Sequence, residues 1–369
     1  MNHPTAGPLG PATIPLDPAA PLRRLIRLAI PICRLAEPTM PRPGPGRPDE
    51  FPEWAVAVMI VVAVAKRLTS KSAQYRFLAA RADALSSRLG LGRFPARSTY
   101  FRRYAAAYLL LAEALAAHAR HAAARGHVAA RCAAADKTLI AAAGPPWHVS
   151  QRARGERPRG ADAEASWSRS AHDGWVYGYG AEVVVSAPPR GGGPIWPLAG
   201  SLDTASLREP RTLPAKLPEL PGSTRYLVVD MGYDSDDLGE AVEYDAEGRR
   251  TGRRLVGPQQ VRHNARRPAK RAWRSSRRRA LRHGHRRERR RFYATAYGRS
   301  LYRRRCRTVE TFFGRVKDLL GLGEHAWHHG LGNNRTMALA ALVLYQILLV
   351  CNRIEGRDDA EVKWRLDLL

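Results

Sequence analysis

Four short apolar runs, residues 133–142, 176–187, 196–202 and 225–230, are separated by glycine, proline and charge, and this pattern constrains the fold most. Runs this short read as strands, and the β-branched stretch at 183–185 suits a pleated surface. A helical stretch at 207–220, interrupted by Pro210 and Pro214, stands between the third and fourth runs. Strands, then a helix, then a strand that ends on a carboxylate make an α/β pattern, a sheet covered by helices.

Upstream of Gly126 the texture is helical, over residues 54–66, 71–89 and an alanine-rich 100–124. Pro95 followed by Ser98 or Thr99 supplies a start for the third helix. Arg76, Arg81, Arg88, Arg93, Arg97, Arg102 and Arg103 surround these helices. Both a helix-turn-helix-like DNA reader and a plain structural bundle satisfy that pattern. Residues 1–48 are dense in proline and glycine and read as a disordered leader. Helical patterning returns from 300 to 353. The expected organisation is a leader (1–48), a small all-helical and DNA-binding domain (49–125), an α/β domain (126–355) and a polar tail (356–369).

Sixty-one Lys+Arg against 33 Asp+Glu give a net charge of +28, which disfavours an ordinary metabolic enzyme and favours a polyanionic partner. The apolar runs at 54–65 and 337–351 are shorter than the roughly 18 residues of a spanning helix, so they read as buried helices and no membrane is expected. No charged head followed by an apolar core marks a secretory signal. Cys33, Cys132, Cys306 and Cys351 are scattered, as suits a reducing cytoplasm. Residues 249–291 hold nineteen basic residues and one acid, Glu288, and are expected outside the core, either gripping phosphates or forming a disordered tether. Arg277, Arg278 and Arg279 within this run are assigned to DNA contact. His325, His328 and His329 lack companions for a metal site and read as a polar or DNA-facing turn.

Three acids stand in unusual places. Asp136 interrupts the apolar run 133–140, where an unpaired carboxylate is costly to bury. Asp230 closes an apolar strand just before Gly232, at the kind of sheet edge where ligand-binding acids gather. Glu310 belongs to a helical stretch in which Arg303, Arg307, Glu310, Gly314 and Lys317 fall within a sector of roughly 80°, beside an apolar stripe of Val309, Phe312, Phe313, Val316 and Leu320. Singly, each reads equally as a turn or a solvated face. Converging, they bind two divalent cations, Mg²⁺ or Mn²⁺, and support in-line phosphoryl displacement.

In these residues the sequence resembles the DDE-type transposases of bacterial insertion sequences, whose catalytic domain is RNase H-like. The resemblance rests on Ala135-Asp136-Lys137-Thr138, on Val229-Asp230-Met231-Gly232-Tyr233, and on Arg307-Thr308-Val309-Glu310 with Phe313 and Lys317. It implies Asp136, Asp230 and Glu310 as catalytic metal ligands, with Arg307 and Lys317 contacting DNA. It also implies binding of the element's ends, hydrolysis of a phosphodiester, attack of the freed 3′-hydroxyl on target DNA, and a homodimer in the synaptic complex, in the cytoplasm on nucleoid DNA. A repurposed, inactive DNA-binding relative and a metal-dependent nuclease without strand transfer are the alternatives. In two respects the chain departs from the family. One family signature places Tyr and Arg seven and four residues before the Glu, where this chain has Arg303 and Cys306; Tyr302 and Arg305 lie one residue off. Only 79 residues, basic rather than strand-patterned, separate Asp230 from Glu310, too few for a large β-rich insertion.

Overall fold

The structure, a computed structural model, describes residues 20–40, 50–170, 173–260, 277–320, 325–357 and 362, without the side chains of residue 20, 277–283 and 319–320. Its six strands are β1 (Cys132–Ala141), β2 (Ser166–Ser170), β3 (Gly174–Ser186), β4 (Pro197–Thr204), β5 (Tyr226–Val228) and β6 (Arg254–Val256). β1 is central. It runs antiparallel to β3, from Ala133 opposite Ser186 to Ala141 opposite Gly178, and parallel to β5, which in turn pairs parallel with β6. β4 and β2 pair antiparallel with successive halves of β3. The order β4-β3-β1-β5-β6, three antiparallel strands continued by two parallel ones, is the RNase H-like mixed sheet. All four strands read from the sequence are present. β6 is a correction: Leu255 and Val256 are buried within the arginine-rich segment expected to lie outside the core.

A helical region precedes the sheet: α1 (Ala20–Arg34), α2 (Glu53–Ala65), α3 (Lys71–Ala79), α4 (Ala82–Leu89), α5 (Arg97–Tyr104) and α6 (Tyr108–Ala124). The remainder are α7 (Val149–Ala153), α8 (Glu209–Thr212), α9 (Asp236–Glu243), α10 (Arg277–Ala294), α11 (Ala296–Arg305), α12 (Thr311–Leu320) and α13 (Leu331–Ile354). α2 is buried on every side from Ala55 to Ala65, which is why its sequence shows no polar stripe. α1 corrects the expected disorder of the leader over residues 20–34. Leu25, Ile26, Ala29, Ile32 and Cys33 form one buried stripe at helical spacing against the core, a periodicity that the proline content of the leader obscures. The tail and residues 1–19 fall largely outside the described residues.

α13 is the buried helix expected over 337–351, though the helix is longer than its apolar run. At 24 residues it is long and apolar enough to cross a membrane by length and composition, yet 83% of its most apolar window is buried inside the protein. Its apolar surface is satisfied by α6 and β4. A Cβ on Gly200 of β4 would lie 2.5 Å from Leu342 Cδ1, so the missing side chain lets α13 approach the sheet. One hydrophobic core runs from α1 and α2 through α6 and α13 into β1, β3, β4 and β5.

His328 is buried rather than DNA-facing, with Nε2 3.0 Å from the Tyr104 hydroxyl. Burial, then the charges of Lys71 and His329, push its pKa down to about 4. The unfolded chain therefore takes up this proton at higher pH than the folded one, and stability present above the unfolded pKa is lost as pH falls through that interval. Urea denaturation at about pH 7.5 and about pH 4.5 is expected to show His328→Gln losing roughly 2–3 kcal/mol less between the two than the parent.

Candidate active site

Side chains alternate along a strand, so Cys132, Asp136, Thr138 and Ile140 share one face of β1 while Lys137 takes the other. Asp136 Oδ1 accepts the Lys137 N–H at 2.9 Å and Oδ2 accepts Arg305 Nη2 at 2.6 Å. Asp230 lies two residues beyond β5, where it caps a 3₁₀ turn, Met231–Tyr233. Its Oδ1 accepts the Gly232 N–H at 2.8 Å, and a Cβ on Gly232 would stand only 3.0 Å from that oxygen. Asp230 Oδ2 is 3.8 Å from the same Arg305 Nη2. Each aspartate thus ties one oxygen to a backbone N–H and turns the other toward one guanidinium nitrogen.

Burial is the largest influence on Asp136 and pushes its pKa up to about 6. Arg305 and the Lys137 N–H pull it down, while the charges of Asp230 and Glu310 push it further up. Glu310 is exposed and joins the pair through this mutual repulsion. Among the described residues no three His, Cys, Asp or Glu side chains stand together as a ready metal cluster.

The chain from α11 to α12 passes through a π-helical turn, Cys306–Glu310. Such a turn closes i→i+5 rather than i→i+4, so it holds one more residue than an α-helical turn. This absorbs the one-residue offset seen in the sequence. Arg305, five residues before Glu310, takes the angular place that a residue four before it would hold in a continuous α-helix. Tyr302 follows the same register: burial raises its pKa, Arg305 lowers it, and Asp230 contributes a further rise. Arg305, only 8% exposed, is the site residue that helical periodicity missed, and the offset Tyr302 and Arg305 were its signal.

The same turn corrects the expected polar stripe, since residues before it are rotated by roughly 100° relative to those after it. Arg307 lines a separate cleft with Arg190, Ile195, Ser300 and Arg304. Lys317 lines a small, mainly apolar hollow with Phe312, Phe313 and Thr138, the last two residues from Asp136 on the same face of β1. Arg277, Arg278 and Arg279 open α10, and their side chains lie outside the described residues.

The opposite face of the sheet holds the Asp230 turn in place. Tyr233 is fully buried, and its pKa is raised by burial and by the neighbouring charges of Glu182 and Asp136. Glu182 in turn makes a buried ion pair with Lys216, and Lys137 Nζ donates to the carbonyls of Ala205 and Leu207. α10 approaches from the β6 edge. Arg286 donates to Asp234 Oδ1 at 2.9 Å and to Asp236 Oδ1 at 3.2 Å, and the buried Arg289 lies 3.4 Å from Asp236 and 3.6 Å from Glu243.

An RNase H-like sheet with two aspartates meeting over its central strands and a glutamate on the following helix defines the class. The chain belongs to the family described as "Transposase DDE domain", whose model matches residues 129–346, from the approach to β1 into α13. That membership indicates an enzyme of the nuclease and transposase kind, acting on DNA with divalent metal ions. None of the curated proteins and none of the solved structures compared with the chain matches it.

Two measurements probe this geometry. Cys306 is exposed, so deleting it removes nothing from the core and converts the π turn to an α turn with Arg305 still facing Asp136. The deletion variant is expected to melt no lower than the parent, whereas deleting Phe313 should lower the melting temperature sharply. Replacing Arg305 by Met removes the charge that holds Asp136 down, so carbon-13 NMR of labelled Asp136 should show its midpoint move above about 6.

Proposed function

We propose that this protein is an insertion-sequence transposase that binds the ends of its element as double-stranded DNA, hydrolyses a phosphodiester there, and joins the freed 3′-hydroxyl to target DNA. The observation that carries the reading is the approach of Asp136 Oδ2 and Asp230 Oδ2 to a single point at Arg305 Nη2, with Glu310 close enough to be felt. The donors are all oxygen and a buried carboxylate resists ionisation, a combination that fits a hard cation such as Mg²⁺ or Mn²⁺. Asp136, Asp230 and Glu310 would hold such ions, two in number, and when bound they supply Lewis-acid activation of the attacking oxygen and neutralisation of the phosphate.

The chain's own groups act around that centre. Arg305 lowers the pKa of Asp136 against its burial and so favours the anionic form near neutral pH. Lys317 lies beside Thr138 and can meet the backbone from the α12 side. The exposed arginines of α10, Arg287, Arg290 and Arg291, recur at helical spacing and offer a phosphate-gripping stripe. Joining two ends implies a homodimer during the reaction, in the cytoplasm on nucleoid DNA.

With Mg²⁺ and labelled end DNA, Asp136→Asn, Asp230→Asn and Glu310→Gln should each bind DNA as the parent does and cleave it at least about 100-fold more slowly. Parental cleavage rates in all three would overturn the assignment. Products that are nicked but never joined would favour a nuclease, and binding with no cleavage by the parent would favour a repurposed relative.

A further inference from the structure

At the amino-terminal ends of β1, β5 and β6, away from the acids, lies an open cleft of about 640 Å³. Five arginines line it. Arg131 precedes β1, Arg225 precedes β5, and Arg250, Arg253 and Arg254 come from the approach to β6 and its first residue. Among the described residues no acid lines the cleft, and the adjoining Glu288 is shared by Arg250 and Arg254, each at 2.8 Å. Arg253 spends its guanidinium on the carbonyls of Leu217 and Leu220 and is pushed down in pKa by burial and then by the charge of Arg225. Glu288 thus offsets Arg250 and Arg254, whereas Arg253 and Arg225 face each other as like charges, Arg225 Nη1 donating to the Gly222 carbonyl at 2.8 Å. The remaining wall is aromatic. Phe292 stacks on Tyr226 at 6.0 Å and carries the Arg254 guanidinium at 4.5 Å, so its faces are taken up within the protein.

We infer that this cleft is a second nucleic-acid site, which grips the phosphate backbone of duplex DNA flanking the scissile bond. The inference rests on the proposed function for its partner and adds where that partner lies. Repelling guanidinium groups at a solvent-open mouth fit consecutive phosphates, and the occupied faces of Phe292 argue against stacking of an extruded base. Arg131 and Arg225 precede Asp136 and Asp230 by five residues each. At about 3.3 Å per residue along a strand this is about 16 Å, or about five base pairs at one phosphate per 3.4 Å of each strand. The cleft thus stands about half a helical turn of duplex from the acids, at the strand ends rather than on the face of β1 that carries Asp136. The site was not legible in the sequence because its arginines come from three separate segments, two of them outside the basic run 249–291.

The test uses the full chain and a fluorescein-labelled duplex of arbitrary sequence, three helical turns long, with anisotropy read across a salt series. Arg131→Ala combined with Arg225→Ala removes two exposed guanidinium groups that carry no structural ion pair. The double variant is expected to bind more weakly, with a log–log salt dependence shallower by about 1.8, the share of two phosphate contacts. Arg34→Ala with Arg154→Ala lowers the net charge equally at distant surface positions, and should leave that slope unchanged. If the cleft variant and the parent have the same slope and affinity, the cleft does not hold DNA although the proposed function stands. Equal losses in both double variants would assign the effect to the overall field and also overturn the cleft. If a single strand of the same length loses more than the duplex does, the duplex-backbone assignment fails. A parent that binds no duplex at any salt refutes the proposed function itself.

Discussion

A carboxylate in the middle of a central strand sets the terms for the rest of this protein. Asp136 follows four buried residues of β1, and a pKa near 6 means that its ionisation at neutral pH runs against a penalty of about 3 kcal/mol. The groups that reach it partly offset and partly add to that penalty. The Lys137 N–H and Arg305 compensate; Asp230 and Glu310 add to the penalty. A site poised in this way gains from any cation placed among its oxygens, because the ion relieves repulsion that the fold already contains.

Holding that arrangement depends on the face of the sheet turned away from the helices α11 and α12. Tyr233, three residues past Asp230, is anchored beside Glu182, whose ion pair with Lys216 is almost entirely removed from water. Buried pairs of this kind add little net stability, but breaking one by removing a partner costs roughly 3–5 kcal/mol. Their value here is positional: a slip of the 231–233 turn would strand Glu182 or Tyr233 and swing Asp230 out of line. Asp234 and Asp236 follow immediately and would raise the negative potential at the site. Arg286 and Arg289 neutralise them, so two arginines of the arginine-rich helix serve the architecture of the aspartate turn.

Strands β1, β3, β4 and β5 were legible because each is an apolar run bounded by turn residues, and Asp136 and Asp230 were legible because a carboxylate breaks or ends such a run. β6 was not, since three residues flanked by arginines carry no pattern of their own and are specified by pairing with β5. α1 was hidden in the same way, its buried stripe diluted by proline. The failure at Glu310 is of another kind. Periodicity assumes a constant 3.6 residues per turn, and the π turn violates this at the one place where register decides which arginine meets Asp136. Departures from local regularity concentrate where function requires them, and here the one-residue mismatch in the sequence was itself the trace of the extra residue.

The net charge of +28 is also less uniform in its effect than composition suggests. Within residues 249–291, Arg249, Arg250, Arg254, Arg286 and Arg289 are paired with acids, and Arg253 is occupied by carbonyl oxygens. What α10 presents to solvent among its described side chains is narrower, the stripe of Arg287, Arg290 and Arg291. At physiological ionic strength a charge is screened beyond about 8 Å, so the total acts mainly on the rate of encounter with a polyanion. Affinity follows the guanidinium groups that actually displace counterions from phosphates. Arg131 and Arg225 at the strand ends and Arg287, Arg290 and Arg291 on one face of α10 are the exposed candidates, and the first two directly precede the strands that lead to the acids.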